Sequence, residues 1–454
     1  MPVCITCWAA RARSADLAGA RTSFEQAIKL DANFIAPQVQ IARLDNNARV
    51  FDAALARLNG VLAKDAKNVD ALVELGRVHQ RMGKLAEAQQ ALEKADDVSG
   101  LDNLVPALAL VDFHLANRRP DLAVEASRRL VNKAPEAMAV LVTVARAHLA
   151  TGDSTTAKVN LTRAASLADY DAPLLVEIAL LQQRAGHLQG AASSLEKALS
   201  ERADFMPALA LLADVELRQG ELAKAEARAK RMTLLQPKQG IGHALLGDIA
   251  AARKQPAAAI DAYRRAHALD QSSDSLIRLH TALSRTEPAA AAQLAEQWLK
   301  SRPRDLAVRR ALADSQARAG NFAAARQGYE EVAKAAPDNA EVLNNLANLQ
   351  ILMNDPRALA TAERALAKSP NMPNILGTAG WAAFKAGQAE RALQLLRDAR
   401  LRDPGNPDTR YFLGAVLAGA GRNTEAREEL QTALRSERSF AYTKDAEKLM
   451  STLK

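Results

Sequence analysis

Aromatic side chains are scarce in this sequence: 3 Trp, 5 Tyr and 9 Phe make up 4% of 454 residues. That scarcity argues against an aromatic-rich β-sandwich or barrel. Cysteine is scarcer still. The two present, Cys4 and Cys7, sit together near the N-terminus, so the rest of the chain has no disulfide framework and carries no information about redox compartment. Long apolar runs are also missing. The longest uncharged stretch, Ser369 to Phe384, is broken by Pro370 and Pro373 and falls short of the roughly 20 apolar residues a membrane-spanning helix needs. Met1 to Trp8 has neither a basic start followed by an apolar core nor a lipoprotein cleavage site before Cys4, so no export signal is read there. Charge of one sign is only mildly in excess: 60 Lys plus Arg against 52 Asp plus Glu give +8 over a long chain. Such a bias tolerates acidic partners but is no nucleic-acid signature. What remains is 48% hydrophobic and 25% charged, the balance of a folded protein, with heavy use of alanine, leucine, glutamate, arginine and glutamine that favours helix.

The length divides naturally by 34, and the residues repeat at that period. A glycine followed five residues later by alanine recurs as Gly83/Ala88, Gly152/Ala157, Gly186/Ala191, Gly220/Ala225, Gly320/Ala325, Gly387/Ala392 and Gly421/Ala426. Pro135, Pro237, Pro303, Pro337, Pro370 and Pro404 mark the same lattice independently. The glycine supplies the left-handed backbone that ends a first helix, and the alanine starts the close contact of a second helix with it. Proline then stops the second helix and suits the opening of the next. A small residue also recurs mid-way along each first helix, where two helices cross closely: Ala42, Gly76, Ala145, Ala179, Ala213, Gly247, Ala313, Ala347, Gly380 and Gly414. Second helices carry a bulky or apolar residue and then a small one, as in Leu161/Ala164, Leu195/Ala198 and Tyr263/Ala266.

These features resemble the tetratricopeptide repeat over essentially the whole chain. The resemblance implies an all-α solenoid, a right-handed superhelix of about 13 helical hairpins whose first helices line a concave binding face. The expected organisation is an incomplete, degenerate first unit over residues 1–34, a continuous array over 35–440, and a capping helix over 441–454. The ninth unit is the weakest internally, because Thr286-Glu287-Pro288 replaces the glycine turn.

Catalytic and cofactor-binding constellations were sought and none emerges. Cys4 and Cys7 form a CxxC without the βαβ context of a redox motif or the second pair of a zinc site. His79, His114 and His148 occupy one slot in three successive hairpins, about 10 Å apart, too far to share a metal ion, and are read as half-buried packing residues. Gly76 to Lys84 has the wrong spacing for a phosphate loop, and Leu85 stands where Ser or Thr is needed. No metalloprotease, serine-hydrolase or kinase motif occurs. The expectation is therefore a chain with no catalytic residue, no cofactor, no metal and no small-molecule substrate. Arg118, Arg119, Arg128 and Arg129 concentrate positive charge in the fourth unit, but aromatics for base stacking are missing there, which argues against a nucleic-acid partner.

A protein or peptide in the groove is the expected partner. Projecting the outward side chains of the first helices gives Arg43, Arg77, Arg81, Arg146 and Arg310 in the earlier and middle units, and Asn344, Asn348, Trp381, Phe384 and Tyr411 later. Asn344 and Asn348, one helical turn apart, suit the backbone of an extended peptide, and the aromatics suit apolar anchoring or, equally, ordinary packing. Arg310 with Asp314, Asn344 and Asn348 matches only part of the carboxylate clamp of chaperone-binding tetratricopeptide proteins.

The C-terminal run is more particular. Asn344-Asn345-Leu346-Ala347-Asn348-Leu349, Asp355-Pro356-Arg357-Ala358-Leu359, Gly380-Trp381, Gly387-Gln388, Ala392-Leu393, Asn406-Pro407-Asp408-Thr409-Arg410-Tyr411, Ala426 to Leu430 and the closing Phe440 to Leu449 helix resemble the end of the large tetratricopeptide lipoprotein of the PEP-CTERM/exosortase system. The resemblance implies a periplasmic or outer-membrane-associated protein of exopolysaccharide-producing Gram-negative bacteria. Similar wording occurs in the periplasmic subunit of cellulose export, and the repeat arm of a glycosyltransferase is the alternative from another class. This chain is about half the usual length of the lipoprotein and lacks its leader, from which a truncated or mis-started gene product is expected.

Overall fold

The computed structural model describes residues 17–438 and 440–453, and every regular element among them is an α-helix. The helices fall into two compact units, residues 1–232 and 233–454. The first unit opens on α1 (Leu17–Leu30). Five hairpins follow: α2 (Ile35–Asn47) with α3 (Phe51–Lys64), α4 (Val69–Arg81) with α5 (Leu85–Val98), α6 (Val105–Ala116) with α7 (Pro120–Lys133), α8 (Met138–Thr151) with α9 (Ser154–Leu167), and α10 (Ala172–Arg184) with α11 (Leu188–Glu201). Next come α12 (Met206–Arg218) and α13 (Leu222–Leu235), within which the division between units falls. The second unit pairs α14 (Ile241–Ala252) with α15 (Pro256–Asp270), α16 (Ser273–Thr286) with α17 (Pro288–Ser301), and α18 (Leu306–Arg318) with α19 (Phe322–Ala335). It continues as α20 (Ala340–Leu352) with α21 (Ala358–Lys368), α22 (Pro373–Lys385) with α23 (Ala389–Arg402), and α24 (Pro407–Gly419) with α25 (Asn423–Leu434). Helix α26 (Thr443–Thr452) packs on α25. Each unit is thus a solenoid of helical hairpins.

The turns show why the period is so regular. All seven glycines of the repeat signature adopt a left-handed backbone, with φ between 69° and 86°. Where the signature lacks glycine, another residue takes the same conformation in the same slot: Arg49 (φ 61°), Arg118 (56°), Lys254 (59°) and Asn354 (53°). The geometry is fixed by the hairpin, and the side chain has to accept it. The ninth hairpin alone departs among the described residues. Its two helices are joined through Glu287 without a left-handed residue, and Pro288 starts α17 at once. At the other end of each hairpin, one slot ahead of the first helix, Asn68, Asp171, Asp305, Asn339 and Asn406 accept a backbone N–H through the side chain and cap the helix.

Packing inside four of the hairpins rests on the same contact. A Cβ added to Gly76 would lie 2.6 Å from Cγ of Leu92; at Gly247 it would meet the Tyr263 ring at 2.5 Å, and at Gly380 and Gly414 it would meet Leu396 and Leu430 at 2.7 and 2.9 Å. The small residue of the first helix is therefore a socket for a large residue sixteen positions on. The fourth hairpin reverses the sizes, with fully buried Val111 on the first helix and buried Ser127 on the second. The alanines five residues after the turn, among them Ala88, Ala157, Ala191, Ala325 and Ala426, are fully buried where the second helix begins its contact. Between hairpins, most first helices also touch the next first helix: α2 with α4, α4 with α6, α6 with α8, α8 with α10 and α10 with α12 in one unit, α16 with α18, α20 with α22 and α22 with α24 in the other. The first helices thereby form a continuous wall within these runs.

A Cβ at Gly186 (φ 69°) would meet nothing within 4 Å, so its cost is purely conformational. Gly186→Ala is expected to lower stability by about 1 kcal/mol, and Arg118→Gly, at an exposed turn, to raise it by a similar amount. Thermal unfolding of the two single variants beside the parent checks both signs.

Candidate functional site

On the wall of the first unit, the arginines expected to face a ligand are already engaged. Arg43 on α2 lies 3.1 Å from Oε2 of Glu74 on α4, and Arg77 lies 3.4 Å from the same oxygen. Asn46 Nδ2 donates to the other Glu74 oxygen at 2.9 Å, so three groups converge on a carboxylate that is 1% exposed. Arg81 reaches back one hairpin to donate to the Asn46 carbonyl oxygen at 2.8 Å. Arg146 pairs with Asp112 at 2.8 Å, and in the second unit Arg310 pairs with Glu341 at 2.8 Å. Each arginine finds its partner in an adjacent hairpin except Arg77, whose partner Glu74 stands on its own helix. They serve as clasps along the wall, not as free anchors. In the fourth hairpin, Arg129 is neutralised by Asp96 and Asp97, and Arg119 donates to Gln89 at 3.2 Å, which thins the basic patch expected there.

The later candidates divide sharply. Asn344 and Asn348 on α20 line a pocket of about 210 Å³ that extends across the wall to Asn374 and Thr378 on α22, Asp408 and Thr409 on α24, and Tyr442 just ahead of α26. Asn344 is 4% exposed, yet its Oδ1 accepts no hydrogen bond from the protein. Trp381, Phe384 and Tyr411 belong instead to a ring cluster. The Trp381 indole stacks on Phe412 at 4.6 Å and on Phe384 at 5.4 Å, and the Tyr411 ring lies 5.1 Å from that of Tyr442. Trp381 is 5% exposed and Tyr411 8%. Phe412 and the chain entering α26 cover them, so they pack.

Two larger clefts flank α16. One, of about 620 Å³, is lined by α14, the start of α15 and α16; the other, of about 690 Å³, by α16, the start of α17 and α18. Both adjoin the hairpin whose turn is shortened. In the second cleft the Ser315 hydroxyl lies 3.2 Å from Nε2 of the buried His280, and in the first the Tyr263 hydroxyl donates to Asp248 at 2.7 Å. Among the described residues, no group of three or more His, Cys, Asp or Glu side chains is placed to hold a metal ion; Cys4 and Cys7 lie outside the described residues. The histidines behave as packing groups. Burial lowers the pKa of His79, His114, His243, His267 and His280, while His148 sits 3.0 Å from Asp153. No helix among the described residues is long and apolar enough to cross a membrane.

Two sequence profiles, both described as tetratricopeptide repeat, match residues 48–108, 182–249 and 383–448, and residues 278–340 and 310–373, together more than half of the chain. The chain belongs to the tetratricopeptide repeat family. No curated protein matches its sequence. Solved structures similar to it include the yeast Tom70, at 14% identity and TM-score 0.46 over 92% of this chain and 95% of that one. Another is the APC/C hetero-tetramer Cut9-Hcn1, at 12% identity and TM-score 0.45 over 92% and 96%. Likenesses at this level carry no argument about ligand or partner.

In a tetratricopeptide array the informative residues are those not consumed by the repeat itself. Sequence projection missed Asn374, Asp408 and Tyr442, which the fold adds to the pocket beside Asn344 and Asn348. Asn374 and Asp408 had a signal: each follows the proline that opens a first helix, Pro373 and Pro407, one repeat apart. Tyr442 had none, since nothing local says that the chain turns back onto α24.

Because their rings are buried, Trp381→Ala and Tyr411→Ala are expected to cost about 3–5 kcal/mol of stability. Partner capture measured below the lowered melting temperature should then be retained; a large loss of capture with unchanged melting would return these rings to the binding face. A second expectation concerns pH. His114 and His280, which are buried, and the half-buried His79, His243 and His267 have depressed pKa in the folded chain, while unfolded chains titrate near 6.5. Stability from keeping them neutral is present above pH 6.5 and lost as pH falls below it. Melting temperature should drop between pH 7.5 and 5.5, and His114→Gln with His280→Gln should flatten that slope.

Proposed function

We propose that this chain is a non-enzymatic scaffold that holds an extended protein segment along the first-helix wall of its second unit, within bacterial envelope machinery for exopolysaccharide export or PEP-CTERM protein sorting. The observation that carries the binding reading is the pocket at the end of that wall. It brings Asn344, Asn348 and Asn374 together from neighbouring hairpins and leaves the buried Asn344 Oδ1 without a protein donor. Paired carboxamides on a rigid wall can both donate to and accept from a peptide backbone, the interaction that an extended segment offers whatever its sequence. Rigid placement on helices reduces the ordering cost of binding. Membership of the tetratricopeptide repeat family supports a protein-interaction role. The envelope setting is supported by the C-terminal run from Asn344 to Tyr411 and the closing helix, which resemble the PEP-CTERM-associated lipoprotein.

The test is affinity capture from envelope extracts of the native cells with the parent chain and with the Asn344→Ala/Asn348→Ala pair. Two lost hydrogen bonds at about 1 kcal/mol each should reduce recovery of a specific partner roughly tenfold or more. Undiminished recovery by the pair would remove the pocket from the binding surface, and partners drawn solely from outside the polysaccharide and sorting machinery would overturn the envelope assignment.

A further inference from the structure

We infer that the pocket between α20, α22 and α24 is a subsite for a basic side chain, arginine or lysine, of the bound segment. This rests on the peptide-scaffold reading above and specifies its ligand chemistry.

The argument starts from hydrogen-bond accounting. Two acceptor oxygens in the pocket, Oδ1 of Asn344 and Oδ1 of Asp408, are buried and receive no hydrogen bond from the protein. An unsatisfied buried acceptor costs about 1–3 kcal/mol, more when charged. No side chain of the protein donates to either oxygen, although the amides of Asn348 and Asn374 and the hydroxyls of Thr409 and Tyr442 line the same pocket. The Thr378 hydroxyl donates to the Asn374 carbonyl oxygen at 3.0 Å, and Asn406 Oδ1 caps the Thr409 N–H at 3.1 Å. The ligand that completes this site has to bring N–H or O–H donors.

Charge narrows the choice. The chain carries 60 Lys and Arg, yet none of them lines the pocket, while Asp408 does. Arg410, on the same helix, is held by Glu429 at 2.7 Å and so is not the cation of Asp408. Burial raises the pKa of Asp408, with a backbone hydrogen bond from Ala441 opposing that shift in part. A carboxylate desolvated without a counter-charge gains strongly from an incoming cation, whereas an acidic side chain would be repelled. The rings of Phe412 and Tyr442, 5.1 Å apart and edge to face, supply the apolar side against which the methylene stem of a long basic residue can lie. A volume of about 210 Å³ takes a single side chain and leaves the rest of the segment on the open wall. A guanidinium suits the arrangement especially well, since its fork of donors can reach both orphaned oxygens.

The test uses the full chain and fluorescein-labelled pentapeptides with a central arginine, lysine, citrulline or glutamate among glycines, read by fluorescence anisotropy. The arginine and lysine peptides should bind, and citrulline, nearly isosteric but uncharged, should bind at least tenfold more weakly. Raising salt should narrow that gap, and Asp408→Asn should abolish it with melting preserved. Equal binding of arginine and citrulline, preference for glutamate, no binding of any peptide at millimolar concentration, or discrimination that survives Asp408→Asn would each overturn the subsite. Binding of a neutral oligosaccharide in competition with, and more tightly than, the arginine peptide would reassign the pocket to hydroxyl recognition. The two proposals fail separately. A partner captured equally by the parent and Asp408→Asn chains leaves the scaffold and removes the subsite; an arginine peptide that binds to a chain capturing no partner leaves the subsite and removes the scaffold.

Discussion

Everything in this architecture depends on how closely the two helices of a hairpin approach. In several hairpins a residue without a side chain sits in the first helix opposite a leucine or tyrosine of the second, as at Gly76 with Leu92 and Gly247 with Tyr263. That single steric choice sets the separation of the pair, and hence the turn that can join it. The turn in turn demands a left-handed residue, strongly enough that Arg49, Arg118, Lys254 and Asn354 adopt the conformation at their own cost. With the pair and its turn fixed, the first helices of successive hairpins come side by side, and a wall exists on which side chains from different repeats can meet.

Polar side chains on that wall follow two regimes. Most are neutralised locally across the repeat boundary. Glu74 gathers Arg43, Arg77 and Asn46; on the second helices, Asp96 is held by Lys133 at 2.8 Å and by Arg129 at 3.1 Å; Glu429 is held by Arg400 and Arg410. Buried carboxylates of this kind are costly without partners, so their contribution is to fix the register of one hairpin on the next more than to add net stability. Buried acceptors without donors also occur at Asn46, Glu216 and Gln350; those at Asn344 and Asp408 differ in sharing one pocket, where a single ligand can complete the accounting for both.

The sequence was most legible where chemistry is local. The glycine slots, the small residues of the first helices and the alanines after the turns each have one neighbour fixed by the hairpin, so their spacing alone located them. It was less legible where a residue's fate depends on a different repeat. Whether Arg43 and Arg310 are free is decided by Glu74 and Glu341, about one repeat later. Trp381 and Tyr411 stand on first helices, and Phe412 and Tyr442 close over them. The pocket was half visible, through the Asn344 and Asn348 spacing; Asp408 and Tyr442 complete it only after α22, α24 and the chain leading to α26 are stacked.

The shortened turn at Glu287 bears on cooperativity. In a linear array each hairpin is coupled mainly to its immediate neighbours, so the unfolding of one is felt along the chain only as strongly as the weakest interface transmits it. The helix α16 has a cleft on either side and a one-residue joint to α17. It is therefore open on both flanks, and what it relays to the following hairpin passes through its direct contact with α18. A partner seated on the last three of the four hairpins that follow α17 would stiffen those hairpins first, and its load would reach the earlier ones through that contact.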